Sequence, residues 1–552
     1  MTKARDTADI NSGTNTAAGE DALGSNTTGA GNIALGKNAL STNTTASQNT
    51  ALGRNAMLSN TTGAANTAVG HQALDSNTTG ASNTSVGKDA LQGNTTASNN
   101  TAVGYQAGYS FTTGGYSTVM GYQAAQNATA GGTVAIGHSS AKNNTGAGIT
   151  AVGSNALVTN TSGTSSTGIG TNALNDNTTG SSNVALGRDA LYSNTTASEN
   201  TAVGYRAGYS NTTGAYNQFF GVNAGYLNTT GLRNTALGYS ANFANSTGSY
   251  NSVVGMQALN SNTASNNTAV GYQAGYNNTT GTSNTFVGAS SGLATTTGLY
   301  TTAVGENSGL SLTTSGGTFF GANAGRNTTG TANTFLGCSA AGYGAGYFVT
   351  TGYKNTIIGA FHGNQGGLDI RTSSNNIVLS DGDGNPRLHI ASGGDVQIGK
   401  TDGSQSTRGI ILNSYGTIRA NSQTTEALHL VRSTAGNIAR FWHNNTTLVG
   451  NINVTSTGTS YGTTSDHRLK ENVDYTWDAT TRLKQLKPAR FNFIVDADTT
   501  VDGFLAHEAQ AVVPEAVTGT HNEVDEDGNA EYQSIDQSKL VPLLVKTIQE
   551  LE

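Results

Sequence analysis

The sequence has one cysteine, four prolines and two tryptophans in 552 residues, and only 11% of its residues are charged. Cys338 alone forms no intrachain disulfide, and metal sites built on paired cysteines are excluded. No run approaches the ~18–20 consecutive apolar residues of a membrane span, so no membrane insertion is expected. The opening MTKARDTADINSG lacks the apolar stretch of a secretory signal peptide, from which a chain without an export signal is expected. A net charge of -7 speaks against a nucleic-acid partner, whose binding needs concentrated basic residues. At 35%, hydrophobic residues are too few for the several ordinary cores that the length would otherwise hold. The charge is equally too low for a solvated disordered chain.

Asn, Thr, Ser, Ala and 74 Gly fill the deficit. Their distribution divides the chain. Residues 1–363 hold 11 Lys/Arg and 10 Asp/Glu, leaving 15 and 23 for residues 364–552, where all four prolines also lie.

The first part is a repeat, and internal repeats decide architecture before any local signal does. NTAVG or a close variant recurs twenty times, its glycine running from Gly36, Gly53 and Gly70 to Gly337 and Gly359. The spacing is 17 residues at most steps, 16 at a few and 22 at the last. An apolar residue precedes every anchor glycine, as in Leu35, Leu52, Val69, Ile136 and Phe320. Three residues after it, through the coil of Gly337, comes only Ala or Ser, as in Ala39, Ala56, Ser291 and Ala340. NTTG turns such as Asn60–Gly63 lie between units.

Seventeen residues accommodate two short strands and two turns, one coil of a parallel β-solenoid or β-roll. Stacked coils satisfy each other's backbone at the ~4.8 Å strand spacing, and twenty of them give a rod of about 95 Å. On this reading the apolar residue before Gly forms the core stack. The obligatory Ala or Ser marks a close approach, either of the coil's other wall or of another chain, while anchor and turn glycines supply positive φ. Recurrent Gly and β-branched Thr exclude a helical repeat. Disorder offers no reason to keep an apolar residue at one fixed place in every unit. The thin coil and its Ala-rich wall predict several chains packed together, three being usual for fibrous shafts. NTAVG and NTALG resemble the head repeats of trimeric autotransporter adhesins, a left-handed parallel β-roll with a shorter repeat.

After residue 364, short alternating segments predict a β-rich neck: Asn376–Ser380, Arg387–Ile390, Val396–Ile398, Ala427–Val431 and Leu448–Val454. Asp381, Asp383 and Asn385 open like a calcium loop, but Ser392 stands where the bidentate Glu is needed, so a turn is expected. The same holds for Asp525, Asp527 and Asn529 around Gly528.

At residue 463 the text changes to TTSDHRLKENV, followed by LKPARFNF, DGFLAHEAQAVVPEAV and YQSIDQSKLVPLLVKTIQELE. Over residues 463–552 it resembles the C-terminal intramolecular chaperone domain of endosialidases and other bacteriophage tail spikes and fibres. That resemblance implies a domain that helps a β-rich trimer assemble and then cuts itself off, with Ser465 as nucleophile, Lys470 as its basic partner and Thr464–Ser465 as the scissile bond. A serine hydroxyl becomes a competent nucleophile when a neighbouring base takes its proton, and a desolvated lysine can be that base. Five residues of α-helix rotate about 500°, about 140° off a common face. Ser465 therefore lies in a loop before a helix, or Lys470 reaches in from another subunit. His467 is the competing base. Asp466 and Arg468 orient the loop or form a plain structural ion pair, and the bland reading of the motif is a non-cleaving cap.

Lys539–Glu552 spaces Leu540, Leu543, Leu544, Ile548 and Leu551 as a short amphipathic helix, suited to a three-chain bundle or to packing on its own domain. His507–Glu508 opens like a zinc-protease helix, but Ala511 replaces the second histidine, and neither metal nor cofactor is expected. Tyr105, Tyr109, Tyr122, Tyr205 and Tyr209 fall on coil corners, as packing between coils or as platforms for sugar rings. The domain organisation expected is an N-terminal attachment segment over 1–24, the shaft over 25–363, the neck over 364–464 and the self-processing α+β domain over 465–552. The function expected is that of a homotrimeric phage tail fibre in the virion. It would be held by tail or baseplate proteins at its N-terminus and bind a carbohydrate or protein receptor on bacteria. A capsule-degrading tailspike and a bacterial trimeric adhesin are the alternatives. Clustered acids along the shaft, expected of the former, are scarce.

Overall fold

Thr-Ala-Val and its variants recur because each of the three side chains has its own place. β-Branched Thr and Val favour extended backbone, and alternation sends the first and third residues to one face and the middle one to the other. In the computed structural model, which describes residues 14–399, 409–414, 418–421, 435–443, 447–526 and 528–552, 21 such strands run from β1 (Thr16–Ala18) to β21 (Thr356–Ile358). Each pairs in parallel with the next, equivalent residues in register, as in Thr50↔Thr67, Ala51↔Ala68 and Leu52↔Val69. The fold is a mainly β parallel solenoid of about 21 turns with few helices.

Parallel pairing reaches beyond 25–363 at both ends. Thr16–Ala18 joins Ile33–Leu35. Past β21, a hairpin of β22 (Asn364–Gln365) and β23 (Leu368–Asp369) precedes β24 (Ile377–Ser380), which again pairs in parallel with β21. Gly19 is one more anchor glycine, at φ +127°. Ala18, small where other coils have a large apolar residue, hid it from the pattern.

The coil's two walls differ from the sequence reading. The middle strand residue, fully buried from Ala34 to Phe335 and Val378, is the core. The apolar residue before the anchor glycine points outward, with Leu52 45% and Leu237 47% exposed. The obligatory small residue, by contrast, is fully buried within its own chain at Ala39, Ala107 and Ser291. Its close approach is therefore to the coil's own opposite wall. Ala340 is exposed. Its coil loops out through the Cys338↔Gly344 bridge, and Ala345 takes the buried place, which accounts for the 22-residue step. Each coil also has one strand, not two. The opposite wall is held by inter-coil bonds such as Leu74 N–H to Ala90 O at 2.9 Å, but it contains left-handed residues, Leu40 at φ +51° and Leu74 at φ +56° among them.

Anchor glycines are required twice over. Gly70 sits at φ +137°, and a Cβ there would lie 2.5 Å from the carbonyl oxygen of Gly87 in the next coil. The turn glycines differ, since Gly63 is needed only for room: its Cβ would stand 2.2 Å from Gly80 O. Volume inside the coil is balanced between walls. Where the strand supplies a ring, the opposite wall supplies glycine, so that Phe219 lies over Gly208 and Gly225, and Phe286 over Gly275 and Gly292.

The abundant asparagines line the corners as two buried ladders. In one, the Oδ1 of each Asn accepts the backbone N–H of its successor, as Asn66 Oδ1 does from Asn83. In the other, amides chain directly, Asn60 to Asn43 and Asn77 to Asn60 at 2.9 and 2.8 Å, while Asn60 also closes its NTTG turn on Gly63 O. Buried amides so paired keep the fold specific where apolar volume is small.

Beyond β24 the sheet turns antiparallel through β25 (Pro386–Ile390), β26 (Val396–Ile398), β27 (Gly409–Leu412) and β28 (Ile418–Asn421). Asp381 Oδ1 accepts from the backbone of Asp383 and Asn385, an ordinary turn. Asn529 N–H likewise bonds Asp525 Oδ1. The expected segment Ala427–Val431 and Asp527 lie outside the described residues.

The chain divides into two compact units, residues 1–428 and 429–552. The second opens with an antiparallel sheet of β29 (Gly436–His443), β30 (Thr447–Val454) and β31 (Thr459–Thr463). Next come α1 (Ala479–Leu483), the hairpin of β32 (Ala489–Phe493) and β33 (Asp496–Gly503), and α2 (Ala506–Val512). The last elements are the pair β34 (Val517–Thr518) and β35 (Ser534–Ile535), then α3 (Val541–Leu551). Ala479, Val513, Ala516, Leu540 and Leu543 form its small core. The five-residue α1 is too short to stand alone. Asp478 caps it, and the Glu550 carboxylate at the end of α3 accepts from the N–H groups of Ala479 and Thr480 at 3.1 and 2.8 Å. Those bonds hold the Glu550 carboxyl below the usual carboxylate range.

Candidate functional site

Thr464 continues the edge of the three-stranded sheet. Its N–H reaches Val449 O at 3.3 Å and its hydroxyl reaches Leu448 O at 2.5 Å, so the residue before Ser465 is pinned to β30. The chain then leaves the sheet through a single 3-10 turn, His467–Leu469. Asp466 starts this turn because its short carboxylate can accept from a backbone N–H two residues on, here Arg468 at 2.9 Å. The Arg468 guanidinium folds back onto the same carboxylate at 2.9 and 2.7 Å. The side-chain and backbone bonds from Arg468 hold the Asp466 carboxyl below its usual range.

The turn brings Lys470 back to Ser465. Lys470, at the C-cap in extended backbone, donates from Nζ to Ser465 Oγ at 2.6 Å. The two side chains meet within one chain, with Ser465 ahead of the turn, so no reach from another subunit is needed to form the pair. Both residues are exposed. A lysine that donates in this way must lose its proton before it can accept one, and removal from water favours the neutral amine. His467 is 93% exposed along its side chain and turns toward Asp466 Oδ1 at 3.5 Å.

A family model for the chaperone of endosialidase matches residues 465–518. No curated protein and no solved structure matches the chain. The match begins at Ser465, one residue past the sheet-bound Thr464, and takes in the whole turn, α1, the β32–β33 hairpin and α2. A segment similar to the chaperone of endosialidase thus follows the solenoid in this chain.

Of the corner tyrosines, Tyr105, Tyr122 and Tyr209 pack ring on ring, whereas Tyr205 faces the guanidinium groups of Arg188 and Arg206. Tyr192, Tyr209, Tyr226 and Phe243 stack rung on rung with centroids 5.1–5.2 Å apart, and Tyr105 stacks on Tyr122 at 5.3 Å. Rings stacked in this way occupy one another's faces. What sequence reading missed is the anchorage of Thr464 on Leu448 and Val449. The alternation of TSYGTT as a strand running up to Ser465 was its available signal.

Proposed function

We propose that this chain is a homotrimeric, phage tail-fibre or tailspike-type attachment protein that cuts itself between Thr464 and Ser465. The observation that carries the reading is the coincidence of the chaperone match at Ser465 with the 2.6 Å contact from Lys470 to that serine. Neutral Lys470 takes the Ser465 hydroxyl proton as Oγ attacks the Thr464 carbonyl carbon. The peptide C–N bond breaks, the proton passes to the departing Ser465 nitrogen, and an ester links Thr464 to Oγ. Water then hydrolyses the ester, leaving a Thr464 carboxylate and a free Ser465 hydroxyl and amine.

Assembly as a trimer accounts for surface that a single chain leaves open. Ile494 and Val495 are almost wholly exposed, and α3 buries Leu543 while leaving Val541, Leu544, Ile548 and Leu551 in water. These four repeat with the 3–4 spacing of a helix seam. Closing partner copies over the second unit would dry the dyad and tie cleavage to assembly. The solenoid then serves as a stiff spacer in the virion, joined to tail proteins by its N-terminal end and carrying a binding surface to carbohydrate or protein on a bacterium.

Intact-mass analysis and sedimentation of the expressed full chain test this together. The expected result is two pieces meeting at Thr464/Ser465 and a larger piece that sediments as three chains. A single uncut species, or a lone chain, overturns it.

A further inference from the structure

The residue before each anchor glycine is apolar in every coil from Leu35 to Ile358, and the structure turns all of them outward. Leu186, Leu237, Phe320 and Leu336 are each close to half exposed. In-register pairing stacks them one above the next at the ~4.8 Å rung spacing, giving a continuous apolar stripe along the whole solenoid. Monomers rarely leave apolar patches above about 300–600 Å² open, and a stripe of this length exceeds that.

We propose that this stripe is the seam along which copies of this chain meet, parallel and in register. The inference rests on the trimer reading and deepens it by naming the face. Three observations favour a second copy as occupant. A partner must offer apolar groups at the same rise over about 95 Å, which another copy of this repeat does by construction. The stripe is narrow, one side chain per rung, flanked on the same strand face by Thr at most rungs, and a seam between rods needs no more. The area also suffices: at about 40 Å² covered per rung, some twenty rungs approach the roughly 800 Å² per partner of a stable interface. The fully buried Ala and Ser column, on the other wall, is unavailable for this role.

Single cysteines in a full-length Cys338→Ser background test the face. Leu237→Cys lies on the stripe, and Thr230→Cys is exposed in the preceding turn, off it. With a short bis-maleimide reagent, the expected result is ready chain-to-chain linkage through position 237 and at least tenfold less through position 230. If sedimentation finds an oligomer that links through 230, or through both alike, the face is wrong while the trimer reading survives. If the variants sediment as single chains, as the parent does, the trimer reading falls and the seam with it. Leu186→Asp/Leu237→Asp gives an independent measure. Monomers that keep the wild-type circular dichroism support the seam, and unchanged oligomers overturn it.

Discussion

Lys470 donates to Ser465 over five residues of chain because one 3-10 turn, capped by Asp466, doubles the backbone back on itself. The lysine lies where it could take the hydroxyl proton and return it to the departing amine. Ser465→Ala is expected to abolish cleavage at Thr464–Ser465, and Lys470→Met to slow it by about 10²–10⁴-fold, the usual contribution of a general base. His467→Ala is expected to leave it within a few-fold, since that ring turns to Asp466 and lies in water. Time courses of fragment appearance on gels check all three. Persistent processing in the serine variant ends the proposal.

On the proposed mechanism Asp466 would act through position. Its carboxylate both caps the turn and holds Arg468. Asp466→Asn retains an oxygen for the cap and gives up the ion pair, whereas Asp466→Ala loses both. The expected order of cleavage rates is wild type, then Asn, then Ala, with the alanine variant about fivefold slow, as follows from the ~1 kcal/mol of a lost cap. If Asn and Ala prove equally slow, the ion pair rather than the cap sets the geometry.

How much of this was legible in the sequence differs from place to place. Periodicity alone located the coils, because a repeat that stacks in register must keep each residue type at one angular position. It could not say which wall was inside. Val before Gly and Ala within the triad are both apolar, and only the pleat decides that Ala68 faces in while Val69 faces out. The Ala340 coil misled because an excursion hides the true spacing, and Ala345 fills the place. At the dyad, the motif named Ser465 and Lys470, and helical geometry showed that they could not meet on one α-helix. The 3-10 turn resolved this and left no need for a second subunit to form the pair.

Compensation across the core supplies the next test. A Cβ on Gly225 would stand 2.3 Å from the Phe219 ring. Gly225→Ala is therefore expected to destabilise the surrounding coils by about 1–3 kcal/mol, the range of overpacking. The left-handed φ of +60° adds strain of its own, roughly 1–2 kcal/mol for a residue with a Cβ, which Leu40 and Leu74 also bear at the equivalent place. Exchanging the ring for the common pattern, Phe219→Ala/Gly208→Leu/Gly225→Leu, should recover most of the loss. Hydrogen exchange of rungs near Phe219 reads this locally, as suits a repeat whose units open in part. Failure of the triple variant to recover would refute the volume balance.

The last rung of the first asparagine ladder has no successor to donate to it. Asn376 receives no next coil; instead His389 from β25 sets its ring Nε2 3.1 Å from Asn376 Oδ1, with Nδ1 3.2 Å from Gln397 Oε1, an acceptor to which the ring donates only when protonated. The Asn376 amide nitrogen already donates to Asn355 Oδ1 and Ser374 O, which fixes its Oδ1 as acceptor and the imidazole as donor from Nε2. His389 is buried, and burial pushes its pKa below the ordinary 6.5, against a smaller opposing effect of Gln397. The unfolded chain therefore takes up the proton first. Stability of this cap is fully present above pH 6.5 and falls as the pH drops from there toward the lower folded value. Exchange of the β24–β26 amides, corrected for intrinsic rates, should accelerate between pH 7.5 and 5.5 in the wild type and much less in His389→Gln, which carries no titrating ring. Equal acceleration in both proteins would mean that the closing of the ladder does not depend on a neutral imidazole.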